Sequence, residues 1–118
     1  MAKSTLVISR QPALGGLAPR EALDIVLAGG AFELPLAMLF AGPGVTQLLA
    51  ADSTALEQKD LSANLSALPL FGVDAIYAEA AALQRLGITP EQLPGWVTPL
   101  EPEALATLIH DHDQVISI

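Results

Sequence analysis

Residues 34–49, LPLAMLFAGPGVTQLL, constrain the fold more than any other stretch of the chain. The run from Leu36 to Phe40 is apolar throughout, without the alternation of a half-wet strand. That is the pattern of a strand covered on both faces, as in the parallel sheets of α/β proteins. Gly42, Pro43 and Gly44 then interrupt it, because glycine gives a tight turn its backbone freedom and proline cannot continue a ladder. Val45, Leu48 and Leu49 resume at helical spacing. Strand, tight turn and helix in this order predict a βαβ unit. The stretch from Leu34 through Ala51 is also the longest without a charge. A membrane span is nonetheless a poor reading of it: the glycine–proline cluster sits in its middle, Thr46 and Gln47 follow, and a spanning helix needs about 20 mostly apolar residues unbroken.

The rest of the chain repeats this grammar. Leu6, Val7 and Ile8 predict a first strand between Thr5 and Ser9. Pro19 is placed to open a helix in which Leu23, Val26 and Leu27 share a face while Arg20, Glu21 and Asp24 stay wet, with Gly29 and Gly30 as its stop. After a polar stretch, Leu61, Leu65 and Leu68 share a helical face that Pro69 ends, and Leu70, Phe71 and Gly72 lead onward. A strand is expected at residues 75–78, around Ile76 and Tyr77, followed by an alanine-rich helix over 80–86 that Gly87 closes. Thr89, Pro90 and Gln92 read as a short capped turn, and Trp96 with Val97 as a brief strand in which Trp96 is packed rather than functional. Thr98, Pro99 and Glu101 have the signature of a helix start, a threonine cap with proline first and glutamate at the capping-box position. Leu105, Leu108 and Ile109 supply that helix with an apolar face, and residues 114–118 end the chain as a strand. Strand and helix alternate throughout, so the expected fold class is α/β: one domain over residues 1–118, a three-layer sandwich with a mostly parallel sheet of about five strands.

Composition narrows the function. With 13 acidic and 5 basic residues the net charge is −8, which argues against direct binding to a nucleic-acid backbone. Only 15% of residues are charged and 52% are hydrophobic, so apolar surface that wants covering is expected, and with it an obligate oligomer. The N-terminus reaches a strand without a signal-peptide core, which predicts a cytoplasmic protein. Cysteine is absent altogether, which removes disulfides, thiolate metal sites and sulfur nucleophiles.

Ligand crevices of open parallel sheets lie at the carboxyl ends of the strands, here residues 9–16, 41–47 and 78–82. None of these offers a nucleophile with a base beside it. Ser9 has no histidine near it in sequence, Gly15 and Gly16 lack the spaced glycines and lysine of a phosphate loop, and Glu79 reads as a solvated residue at a helix start. His110 and His112, in the run His110-Asp111-His112-Asp113, have no third ligand at defined spacing and read as the exposed end of the last helix. No catalytic residue, cofactor site or metal site is therefore expected.

Three segments, LAMLFAGPGVTQLL, LPLFGVDAIYAEAAALQRLGI and TPLEPEALATLIHDHDQVISI, together with Arg20, Glu21, Leu23 and Asp24 of the first helix, resemble the TusC (DsrF-like) family over nearly the whole chain. The chain departs from the family pattern at Gly42-Pro43-Gly44, where an acidic residue is expected before the glycine. The resemblance implies a DsrE/DsrF-like fold and a subunit of a cytoplasmic TusBCD complex, in which TusB-like and TusD-like subunits complete a heterohexamer. It also implies a place in a persulfide relay toward 2-thiolation of wobble uridine in transfer RNA. The sulfur-carrying cysteine of such complexes belongs to the TusD subunit, after the third strand. The corresponding residues here, 78–82, include none, which implies an accessory rather than a catalytic subunit. Two alternatives stand beside this: a DsrF-type subunit of a sulfur-oxidation complex, and a stand-alone small-molecule enzyme using carboxylates such as Glu79 or Asp74.

Overall fold

A computed structural model describes residues 4–11, 18–31, 35–52, 67–69, 73 and 75–118. Five strands form one sheet: β1 (Thr5–Ser9), β2 (Leu36–Phe40), β3 (Ile76–Glu79), β4 (Thr98–Leu100) and β5 (Gln114–Ser117). Their order across the sheet is β4-β3-β2-β1-β5, and every neighbouring pair is parallel. Parallel neighbours require crossovers, which the helices supply. They are α1 (Ala18–Ala31), α2 (Ala80–Arg85) and α3 (Pro102–Asp111), joined by 3-10 helices over Gly42–Asp52 and Pro90–Gln92.

The central strands are unbroken apolar runs because both of their faces are covered. Val7, Met38, Phe40, Ile76 and Ala78 point into the larger core, where they meet Ala22, Leu23 and Val26 of α1, Val45 and Leu48 of the first 3-10 helix, and Ala82 and Leu83 of α2. Leu6, Ile8, Ala37, Leu39 and Ala41 form a second cluster on the opposite face, packed against Leu105 and Leu108 of α3. The result is three layers, as the alternation of elements predicts. Burying each large side chain of this kind contributes about 1.5–3 kcal/mol, so β1 and β2 carry much of the fold's stability. No helix among the described residues is long and apolar enough to cross a membrane.

Several expectations are met closely. β1 and β2 fall on the apolar runs, and Gly87 closes α2 in the left-handed region at φ 70°. At the second 3-10 helix the Gln92 side chain accepts from the Thr89 backbone N–H at 2.8 Å, completing a capped turn, and Trp96 packs partly buried on the larger core.

Other expectations are corrected. α1 runs through Gly29 and Gly30 to Ala31. At Gly29 a Cβ would stand 2.3 Å from a methyl of Leu36, so that glycine is a contact point for β2 and not a helix stop. The segment after the glycine turn is a 3-10 helix, not an α-helix. Its threefold period stacks Val45 over Leu48 into the core and Gly44 in line with Gln47 toward the end of β1. Trp96 and Val97 precede the fourth strand, which is formed by the residues read as a helix start, Thr98 to Leu100. The helix begins three residues later at Pro102, with Glu101 at its N-cap position, since the chain repeats the proline signature and the sheet edge takes the first copy. The third strand lies one residue later than expected. Leu61, Leu65, residues 70–72, Gly15, Gly16 and Asp74 lie outside the described residues.

Candidate functional site

The carboxyl edge of the sheet is held together by backbone contacts between chain segments far apart in sequence. The Ala41 N–H donates to Ser9 O at 3.0 Å, and the Gly44 N–H turns back to Ala41 O at 2.9 Å. Gly42 needs the left-handed region, φ 53°, and has open space where a Cβ would go. Gly44 is glycine for another reason: a Cβ there would lie 2.1 Å from Ser9 O and 3.1 Å from the Arg10 Cα. The turn therefore lies directly against the end of β1, and its two glycines meet two separate demands.

That close approach brings Gln47 onto Ser9. The Gln47 side chain is fully buried, and its Nε2 donates to Ser9 Oγ at 2.7 Å and to Gln11 O at 2.8 Å. Its Oε1 is buried without a hydrogen-bond partner among the described residues. Ser9 is itself buried at 1% exposure. Its hydroxyl accepts from an amide, and an amide is no base, so the pair offers no route to an activated nucleophile. Sequence reasoning missed Gln47 as a site residue. The available signal was a polar side chain between Val45 and Leu48, three residues after a glycine that admits close approach.

Glu79 requires a correction too. It stands at the N-cap of α2 but is partly buried, and its Oε1 accepts from the Gly42 N–H at 2.9 Å. It is a tie between β3 and the glycine turn, not a freely solvated charge. The consequence is chemical. The Gly42 N–H, a donor that could have faced an anion, is already bonded to a carboxylate, whose negative charge also disfavours phosphate at this point. Around it, residues 78–82 read Ala-Glu-Ala-Ala-Ala, with Ala78, Ala80 and Ala82 buried. Those three methyl groups belong to the core, so what this stretch shows to a neighbour is Ala81 and the Glu79 carboxylate, both partly exposed.

The histidines lie at the other edge of the sheet. α3 ends where β5 begins, and there the Asp113 carboxylate accepts from the Ser4 backbone N–H at 3.0 Å, beside the start of β1. His110 is exposed. His112 is partly buried, with Nδ1 2.7 Å from Leu108 O, a contact that closes the end of α3. The structure thus separates them from the crevice residues by the length of the strands.

Comparison with known proteins follows the same outline. The chain is 50% identical over 119 residues to the protein TusC homolog of Pseudomonas aeruginosa, covering all of both chains. It is 34% identical over 119 residues to protein TusC of Escherichia coli O9:H4, with 98% of each chain covered. The crystal structure of the ychN protein from E. coli superposes with a TM-score of 0.81 over 98% of this chain and 99% of that one, at 17% identity, a likeness of fold. The DsrE/DsrF-like family model matches residues 3–118. With the match running through all five strands and relatives aligned from end to end, the chain belongs to the DsrE/DsrF-like family.

Proposed function

We propose that this chain is a non-catalytic subunit of a TusBCD-type sulfur-relay complex that supports 2-thiolation of wobble uridine in transfer RNA. TusB-like and TusD-like subunits are its partners in a cytoplasmic heterohexamer, and it touches neither nucleic acid nor membrane itself. The observation that carries this reading is the carboxyl edge, where residues 78–82 hold no cysteine, Glu79 is bonded to Gly42 and Ser9 to the Gln47 amide. A protein with TusC relatives over its full length and no thiolate contributes shape and contact surface to a relay, while the sulfur rides on another chain. The stand-alone enzyme reading loses support from the same geometry, because the Glu79 carboxylate is already engaged with the Gly42 N–H.

Nucleoside analysis of transfer RNA from a strain lacking the gene tests the proposal. 2-thiouridine at the wobble position should fall, and the chain co-expressed with its two partners should elute with them as one larger species. Unchanged 2-thiouridine, together with a chain that elutes by itself in the presence of both partners, would refute it.

A further inference from the structure

The two edges of the sheet are built differently. β4 is three residues long and carries Pro99 in its middle, which has no N–H to offer another strand. β5 contains neither proline nor lysine, and all four of its residues are exposed. On its inner side the Gln114 N–H donates to Ser4 O at 3.0 Å, the Ile118 N–H to Ile8 O at 2.9 Å, and the Arg10 N–H to Ile118 O at 3.0 Å. Backbone groups alternate sides along a strand, so the N–H and C=O of Val115 and Ser117 face away from β1. Exposed apolar side chains stand on this edge strand: Val115 and Ile116 are 43% and 38% exposed. Val115 aligns with Leu6 on the face that α3 covers, and Ile116 aligns with Val7 on the other. A strand added here would cover apolar surface on both faces.

We propose that this edge pairs antiparallel with β5 of a second copy of the chain, with Val115 opposite Val115 of that copy. A two-fold axis through this residue makes Val115 and its counterpart a hydrogen-bonded pair and sets Ser117 opposite Asp113 of the second copy, whose own N–H stays bonded to Ser4 Oγ at 3.1 Å. Charge selects this register. Arg10 is held at Ser117 by a 2.8 Å bond from its Nε to the serine Oγ, so each end of the pairing brings a guanidinium toward the negative charge of Asp113, whose Oδ2 keeps its bonds from Ser4, and symmetry does so twice. Centring the pair on residue 113 would oppose two aspartates, and centring it on residue 117 would oppose two arginines. The two arginine–aspartate encounters also work against the general repulsion between chains of net charge −8. The pairing makes no use of the relay assignment and stands or falls separately from it.

Because the chain has no cysteine, single cysteines report the geometry directly. Full-length Val115→Cys, Ser117→Cys and Thr98→Cys variants are prepared alone and with the partner subunits, and oxidised mildly. Val115→Cys should form a disulfide-linked dimer of this chain much faster than the other two. Opposed residues of a hydrogen-bonded pair lie about 5.5 Å apart between Cα atoms, within disulfide range, whereas two Ser117 positions would stand about 13 Å apart along the strands. Adding Arg10→Glu to Val115→Cys should slow the cross-link about tenfold, as attraction at both ends becomes repulsion. Equal rates for all three cysteines, faster linkage through Ser117→Cys, or linkage of residue 115 only to a different subunit would overturn the pairing.

Discussion

At the scale of single residues, two glycines two positions apart do different work, and substitution separates them. Alanine at Gly42 meets no neighbour but must adopt φ 53°, a cost of about 1–2 kcal/mol. Alanine at Gly44 meets the backbone oxygen of Ser9 at 2.1 Å and its carbonyl carbon at 2.9 Å. Neither can swing aside as a side chain would, so the turn must lift from β1 and loosen the Gln47–Ser9 bond. A loss of about 3 kcal/mol or more is expected, at the upper end of overpacking costs. Urea denaturation of both variants checks the order, and a larger loss at Gly42 would show that dihedral strain outweighs the close approach. Glu79 gives a second contrast. Glu79→Gln keeps an oxygen for the Gly42 N–H and should change stability little, whereas Glu79→Ala leaves that donor short of a partner and should cost about 1 kcal/mol. Equal losses in the two variants would mean that the negative charge, not the hydrogen bond, holds the turn. Neither Glu79 nor Gln47 was legible in the sequence as a contact, since their partners lie 37 and 38 positions away and local pattern carries no information at that range.

At the scale of elements, the sequence shows most where burial dictates it. β1, β2 and α1 are legible because a doubly covered strand must be apolar throughout and a surface helix must be apolar on one side. The start of α3 was not legible to the residue, because Thr98-Pro99 and Glu101-Pro102 both present a cap position followed by proline. Local chemistry cannot choose between them. Pairing with β3 does, by drawing Thr98 alongside Tyr77. The structure then makes a prediction that the first reading would not. Thr98 is exposed and caps nothing, so Thr98→Ala should fall within about 0.5 kcal/mol of the parent. Glu101 holds the N-cap position with extended backbone, φ −75° and ψ 164°, and no side-chain cap bond. Glu101→Ser should therefore stabilise the protein by about 0.5–1 kcal/mol, since serine is among the preferred caps. A cost near 1 kcal/mol for Thr98→Ala, with no gain from Glu101→Ser, would place the helix start where the sequence alone suggested. At the other end of α3, His112→Ala should cost about 1 kcal/mol through the lost contact with Leu108 O, and exposed His110→Ala almost nothing.

At the scale of the whole molecule, the question is whether this chain can hold the sulfur of the relay proposed for it. Persulfide formation needs a thiolate that attacks a donor's sulfane sulfur and keeps it in a new S–S bond. The chain has no cysteine, and its two sulfur atoms belong to Met1 and Met38, thioethers that cannot be deprotonated to such a nucleophile. Met38 is in addition fully buried in the larger core. This absence was readable from the sequence at once, as was the place of residues 78–82 at the carboxyl edge, whereas only the fold shows that Glu79 is tied there to Gly42. Incubated with a persulfide donor, the chain should keep its mass, measured intact and without reducing agent. In the same reaction with a cysteine-bearing partner present, the added sulfur should appear on that partner alone. Writing a cysteine into the edge, as Ala81→Cys at a partly exposed position of α2, should let this chain accept sulfur and so show that the donor reaches the edge chemically. A stable gain of one sulfur atom by the unaltered chain would mean that something other than a thiol traps it, and the accessory role would have to be given up.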